Sequence, residues 1–183
     1  METFTYKEIL QQPSCWIKEY EVLLEEKTRI QAFLEKYLTN ETDIVLTGAG
    51  TSAFIGDAIA PLLRGVWKNV RAVATTDIVT NAADYLVADK PLLLISFARS
   101  GNSPESVAAV NLANAICKNV AHIYITCNKN GHLAQSANAE NILSLLLPEE
   151  TDDKSLAMTS SFSTMLLTCL MISQIDHIEA ERE

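Results

Sequence analysis

The stretch "LLLISFARSGNSPES", residues 92–106, sets the apolar run Leu92, Leu93, Leu94 and Ile95 against a segment holding Ser96, Ser100, Ser103 and Ser106. A short run of large apolar residues bounded by turn residues reads as a strand buried on both faces of a parallel sheet. The polar segment after it is ordered in a telling way. Ser103 precedes Pro104, and a serine N-cap with proline at the first helical position is a recurrent helix start. The serines and Gly101 thus fall where a strand hands over to a helix N-terminus, a place where free backbone N–H groups and the helix dipole favour an anion.

Working outward, five short runs rich in branched apolar residues read as strands: 44–47, 70–75, 92–96, 122–126 and 142–147. Helical patterns lie between them at 52–63, 103–117 and 131–137, with a shorter one at 77–85. A leading helix spans 14–38, on a stripe of Trp16, Ile17, Tyr20, Leu23, Leu24, Ile30, Phe33 and Leu34, and a closing helix spans 156–175. Alternation of this kind predicts an α/β three-layer sandwich with a five-stranded parallel sheet. In the order 2-1-3-4-5 the ligand crevice opens at the C-terminal ends of strands 1 and 3. No repeat, low-complexity tract or linker interrupts residues 40–175.

Composition narrows the partners. The 183 residues carry 14 Lys and Arg against 23 Asp and Glu, a formal charge of −9, which argues against nucleic acid or an anionic membrane surface. Cys15, Cys117, Cys127 and Cys169 form no C-x-x-C pair and sit mostly in apolar segments, as expected for reduced thiols in the cytoplasm. The first residues lack a signal-peptide pattern, and the longest apolar stretch, 165–172, is too short to span a bilayer. No metal or cofactor is expected. The closing helix carries more apolar positions than one face needs, which predicts a homodimer.

A second Gly-rich turn follows the first strand, "LTGAGTSAFIGDAI", residues 46–59. Gly48, Gly50 and Ala53 satisfy G-x-G-x-x-G/A, and Asp77 follows the second strand, so a nucleotide-dependent enzyme is one reading. Thr51 and Ser52 add hydroxyls that a pyrophosphate held by backbone amides does not require. The two hydroxyl-rich loops follow strands 1 and 3 and would face each other across one crevice, enough to enclose a single phosphate.

These loops resemble the sugar isomerase (SIS) domain family, whose signatures are a Gly-Thr-Ser turn after strand 1 and a Ser-x-Ser-Gly-x-Ser/Thr loop after strand 3. Here they read Gly50-Thr51-Ser52 and Ala98-Arg99-Ser100-Gly101-Asn102-Ser103. Together with "TTDIVTN" and "AMTSS", they are similar to the tagatose-6-phosphate ketose/aldose isomerases, also described as galactosamine-6-phosphate deaminase/isomerases. The resemblance runs from about Pro13 to Ile172. It implies a flavodoxin-like fold and a phosphorylated hexose or hexosamine as ligand. It also implies Ser52, Ser100 and Ser103 as phosphate ligands, Thr51 and Arg99 beside the sugar, and Gly50 and Asn102 within the same loops. Ala98 and Arg99 depart from the usual Ser and Gln of many such domains.

The resemblance implies two such domains per enzyme, with the catalytic glutamate, lysine and histidine in the second. The expected organisation is therefore a leading arm and helix at 1–39, a phosphosugar-binding domain at 40–175 and a tail at 176–183, the N-terminal half of such an enzyme. Binding is expected without the acid and base that aldose–ketose exchange requires. Among local titratable groups, Asp57 reads as a helix-surface carboxylate, Glu105 as a first-turn acid favoured by the helix dipole, and His122 as a packing residue. His132 is the best local candidate for ring opening. A sensor domain that binds a phosphosugar without converting it is the remaining reading.

Overall fold

The computed structural model describes residues 3–182. Helix α1 (Phe4–Tyr37) leads into β1 (Asp43–Gly48), a 3-10 turn (Gly50–Ser52) and α2 (Ala53–Leu63). Then come β2 (Val70–Ala72), α3 (Thr75–Thr80), α4 (Ala82–Tyr85), β3 (Leu92–Ala98) and α5 (Pro104–Ile116). The chain continues through β4 (Val120–Thr126), α6 (His132–Gln135), β5 (Ile142–Leu146), a 3-10 turn (Glu149–Thr151) and α7 (Ser160–Ser173), with a 3-10 segment (Ile175–Arg182) last. The sheet has the order β2-β1-β3-β4-β5 and every pairing is parallel. The expected architecture is thus the observed one.

Every residue of β1 and β3 is buried, as continuous apolar runs require when helices cover both faces. Alternation then divides the core in two. Ile44, Leu46, Leu93, Ile95 and Phe97 face α1, α2 and α7, while Val45, Leu92, Leu94 and Ala98 face the side of α3, α4 and α5. Burying a side chain of this size contributes about 1.5–3 kcal/mol.

The three largest differences from the expected boundaries each have a local reason. Helix α1 begins ten residues before the expected start and runs through Pro13. Proline has no N–H to give the carbonyl of Ile9, and the side-chain amide of Gln12 donates to that oxygen instead, at 3.1 Å. The second strand ends at Ala72, and Thr75 already belongs to α3, its hydroxyl donating to the Gly48 carbonyl at 3.1 Å. The closing helix starts at Ser160 rather than Leu156, because the Asp153 carboxylate takes up the free N–H groups of Thr159, Ser160 and Ser161 at 2.8–3.1 Å. Leu156 lies in the preceding loop, 98% exposed.

The apolar surplus of α7 is packed within the chain against α1, which lies along it, and against α2. Between these helices and the end of α2 runs a groove of about 1140 Å³, lined by residues that include Trp16, Ile17, Leu24, Leu62, Leu167 and Leu170. All four cysteines are buried and unpaired. Among the described residues no helix is long and apolar enough to cross a membrane.

Candidate functional site

Register decides which loops meet. Thr47 pairs with Ser96 and Gly48 with Phe97, so β1 and β3 end side by side and the segments that follow, 49–52 and 99–103, leave from one edge of the sheet. On the first loop Gly50 and Thr51 are exposed and Ser52 is buried, its hydroxyl 3.7 Å from the Met158 sulfur. On the second, Ser100 and Asn102 are exposed while Arg99 and Ser103 are half-buried. The seven candidate residues thus come from two adjacent loops, with Arg99 as their one cation.

Ser103 occupies the N-cap position of α5 with Pro104 next, as the sequence indicates. Its hydroxyl does not cap the helix. It pairs with the Ser106 hydroxyl at 2.6 Å, which leaves the first N–H groups of α5 without a side-chain acceptor. Capping therefore fails to account for Ser103. The Ser100 hydroxyl accepts from the Asn102 backbone N–H at 3.3 Å.

A third loop, which carries His132, holds the second in place. Gly101 adopts φ +66°, a conformation that disfavours any residue with a side chain, and its carbonyl accepts from the Leu133 N–H at 3.2 Å. The Asn128 amide donates to the Ser100 carbonyl at 3.0 Å, and the His132 N–H donates to Asn102 Oδ1 at 2.8 Å. Residues 127–133 follow β4, the strand next to β3, so the two loops meet for the same topological reason as the first two. The signal for this brace was the turn sequence Asn128-Lys129-Asn130-Gly131.

Arg99 reaches in the other direction. Its Nη1 donates to the carbonyls of Asp153 and Ser155 at 3.4 and 3.3 Å, in the loop before α7. That loop is also held from α1: Glu8, 6% exposed, accepts from the N–H groups of Lys154 and Ser155 at 2.7 and 3.1 Å, and from the Ser155 hydroxyl. Asp153 and Glu8 are site-supporting residues that periodicity could not single out, since acidic residues are common on the surface.

The titratable candidates lie outside the two hydroxyl loops. His122 is fully buried in β4, its Nε2 2.9 Å from Asn114 Oδ1, and burial lowers its pKa to about 4, so the ring is neutral at pH 7. The packing role expected of it is what the structure shows. Asp57 is exposed on α2 and Glu105 is half-buried in the first turn of α5. His132 is exposed at the start of α6. Burial pushes the Cys127 thiol, which follows β4, up to about 12, so it is no nucleophile at neutral pH. Among the described residues no cluster of His, Cys, Asp or Glu is arranged to hold a metal.

Hydroxyls and free N–H groups converging on adjacent strand ends of a 2-1-3-4-5 sheet define a domain suited to an anionic ligand. Residues 37–173 match the SIS domain, and the chain belongs to that family. Within it the chain is 50% identical to the D-galactosamine-6-phosphate deaminase AgaS of Escherichia coli over 182 residues, 98% of this chain and 47% of that one. It is 46% identical to the enzyme of the same name from Shewanella sp., over 92% of this chain and 45% of that one. The crystal structure of tagatose-6-phosphate ketose/aldose isomerase from E. coli superposes with a TM-score of 0.92 at 51% identity, over 96% of this chain and 49% of that one. The chain spans about half the length of the curated relatives it matches.

Proposed function

We propose that this chain is the phosphosugar-binding domain of a sugar-phosphate aldose–ketose isomerase or amino-sugar-phosphate deaminase, taking tagatose 6-phosphate or galactosamine 6-phosphate. In this reading Ser52, Ser100 and Ser103 hold the phosphate, Thr51 and Arg99 lie beside the sugar, and Gly50 and Asn102 shape the two loops. The division into a leading arm and helix at 1–39, a binding domain at 40–175 and a tail at 176–183 belongs to the same reading. The observation that carries it is the Thr47–Ser96 register, from which both hydroxyl loops spring side by side. The names borne by the relatives supply the substrate class.

The role assigned is anchoring. Proton transfer between neighbouring carbons needs a positioned base and an acid to open the ring. His122 is neutral and engaged with Asn114, and Asp57, Glu105 and His132 lie outside the hydroxyl loops.

Ser100→Ala is the direct test. Removing a hydroxyl from a charged acceptor should weaken phosphosugar binding by about 1.5–3 kcal/mol, with the melting temperature unchanged because Ser100 is exposed. Isothermal calorimetry reads the loss, and equal affinities for variant and parent would remove the second loop from the site.

The unpaired cysteines favour a reducing compartment, and we place the protein in the cytoplasm. We also propose a homodimer, with a second copy seated on the groove between α1, α2 and α7. Ile17 and Leu62 there are each 63% exposed, and an apolar surface of this extent rarely stays open on a monomer. Light scattering should give twice the chain mass; a lone species of 20.1 kDa at high concentration would refute the dimer.

A further inference from the structure

Glu19, near the middle of α1, faces α7 at 1% exposure. Its Oε1 lies 2.8 Å from the Thr168 hydroxyl oxygen, which is also 2.8 Å from the Thr164 carbonyl. A hydroxyl has one hydrogen, and a carbonyl oxygen can only accept. One Thr168 hydrogen cannot serve both acceptors at once, whereas a carboxyl that brings a hydrogen of its own satisfies both contacts. Glu19 Oε2 and the Thr164 hydroxyl are each buried with no hydrogen-bond partner.

The surroundings offer the carboxylate no compensation. On α1 the nearest titratable side chain one turn earlier is Cys15, and on α7 it is Cys169, both thiols whose pKa burial raises. Asp57 of α2, Glu149 and Glu150 of the preceding 3-10 turn, and Asp176, His177 and Glu179 of the final segment are exposed. Asp153, in the loop before α7, is taken up in capping that helix. Burial raises the Glu19 pKa to about 8, even when the Thr168 hydrogen is given to the carboxylate, an arrangement that by itself lowers it.

We propose that Glu19 is kept as a neutral carboxylic acid that latches α1 onto α7, and that its ionisation at alkaline pH releases α1 together with the loop α1 holds. That loop is 153–155, bound from α1 by Glu8 and gripped by Arg99 of the second hydroxyl loop. The latch is thereby joined to the candidate site, and its effect on binding rests on the reading given above.

The sign follows from linkage. The folded pKa lies above the ordinary glutamate value, so the folded chain binds more protons than the unfolded one between the two values. Stability therefore falls as pH rises through that window and levels off beyond the folded pKa. Glu19→Gln, which keeps the shape and stays neutral, should lose this slope. In the parent at neutral pH, infrared spectroscopy should show a protonated-carboxyl C=O band that Glu19→Gln deletes. Hydrogen exchange of the α1 amides, corrected for intrinsic rates, should speed up by as much as roughly tenfold per pH unit between the ordinary glutamate pKa and the folded one, and level off above it, in the parent and not in Glu19→Gln. Thr168→Val, which removes the hydroxyl, should shift the infrared band and keeps the test decisive if Glu19→Gln fails to fold. Absence of the band, or superimposable pH profiles for parent and Glu19→Gln, overturns the latch. Loss of phosphosugar affinity at alkaline pH is a separate arm: its absence beside a positive infrared and exchange result would count against the coupling to the site, and no binding at any pH against the ligand reading.

Discussion

An Asp153→Ala chain is expected to melt about 6–12 °C below the parent, a loss of about 3 kcal/mol. Asp153 is 6% exposed, and its two carboxylate oxygens accept from the N–H groups of Thr159, Ser160 and Ser161 and from the hydroxyls of Thr159 and Ser161. Removing it leaves five donors without their acceptor, three of them at the buried N-terminus of α7, where the helix dipole also favours a negative charge. A cap alone is worth about 1 kcal/mol; the extra hydroxyl contacts and the burial raise the figure. The loop carrying the carbonyls that hold Arg99 should loosen with it. Differential scanning calorimetry gives the answer, and a drop of less than about 2 °C would mean that α7 is set by its apolar face alone.

Gly131→Ala should damage the candidate site from the loop behind it. A Cβ at Gly131 would stand 2.4 Å from the Ser100 carbonyl oxygen and 3.1 Å from the Gly101 Cα, and both neighbours are backbone. The second hydroxyl loop has to move, at a cost of about 1–3 kcal/mol in stability. Misplacing Ser100 and its neighbours should also weaken phosphosugar binding by about ten- to a hundredfold. The combination separates this variant from Ser100→Ala, which loses affinity alone. Calorimetric titration with parallel melting curves measures both quantities, and unchanged binding by Gly131→Ala would show that the loop tolerates displacement and does not position the ligand.

Much of this site was legible before any coordinates. The Gly50-Thr51-Ser52 turn and the Arg99–Ser103 loop stand out because glycines and hydroxyls directly follow apolar strands, and the strand order that joins them is the one the family resemblance implies. Residues whose role is to brace the loops were not legible. Asn128 and Gly131 act on Ser100 about thirty residues away, and Glu8 acts on Lys154 and Ser155 across nearly the whole chain. Their types mark a turn and a helix surface, and nothing in spacing says which loop they brace. Glu19 is the sharpest case. In the sequence it sits among Lys18, Glu21, Glu25 and Glu26 as one more charge on an amphipathic helix.

The sequence by itself determined the parallel sheet and the two loops, because these depend on local periodicity and on turn chemistry between neighbours in the chain, and the strand order came with the family its motifs resemble. Only the tertiary structure decided that α1 closes over α7 with Glu19 beneath it, that Asp153 rather than Leu156 sets where α7 begins, and that a third loop supports the second. Each of these rests on which donor meets which acceptor once distant segments are packed together, and a buried polar group must find its partner in space whatever its place along the chain.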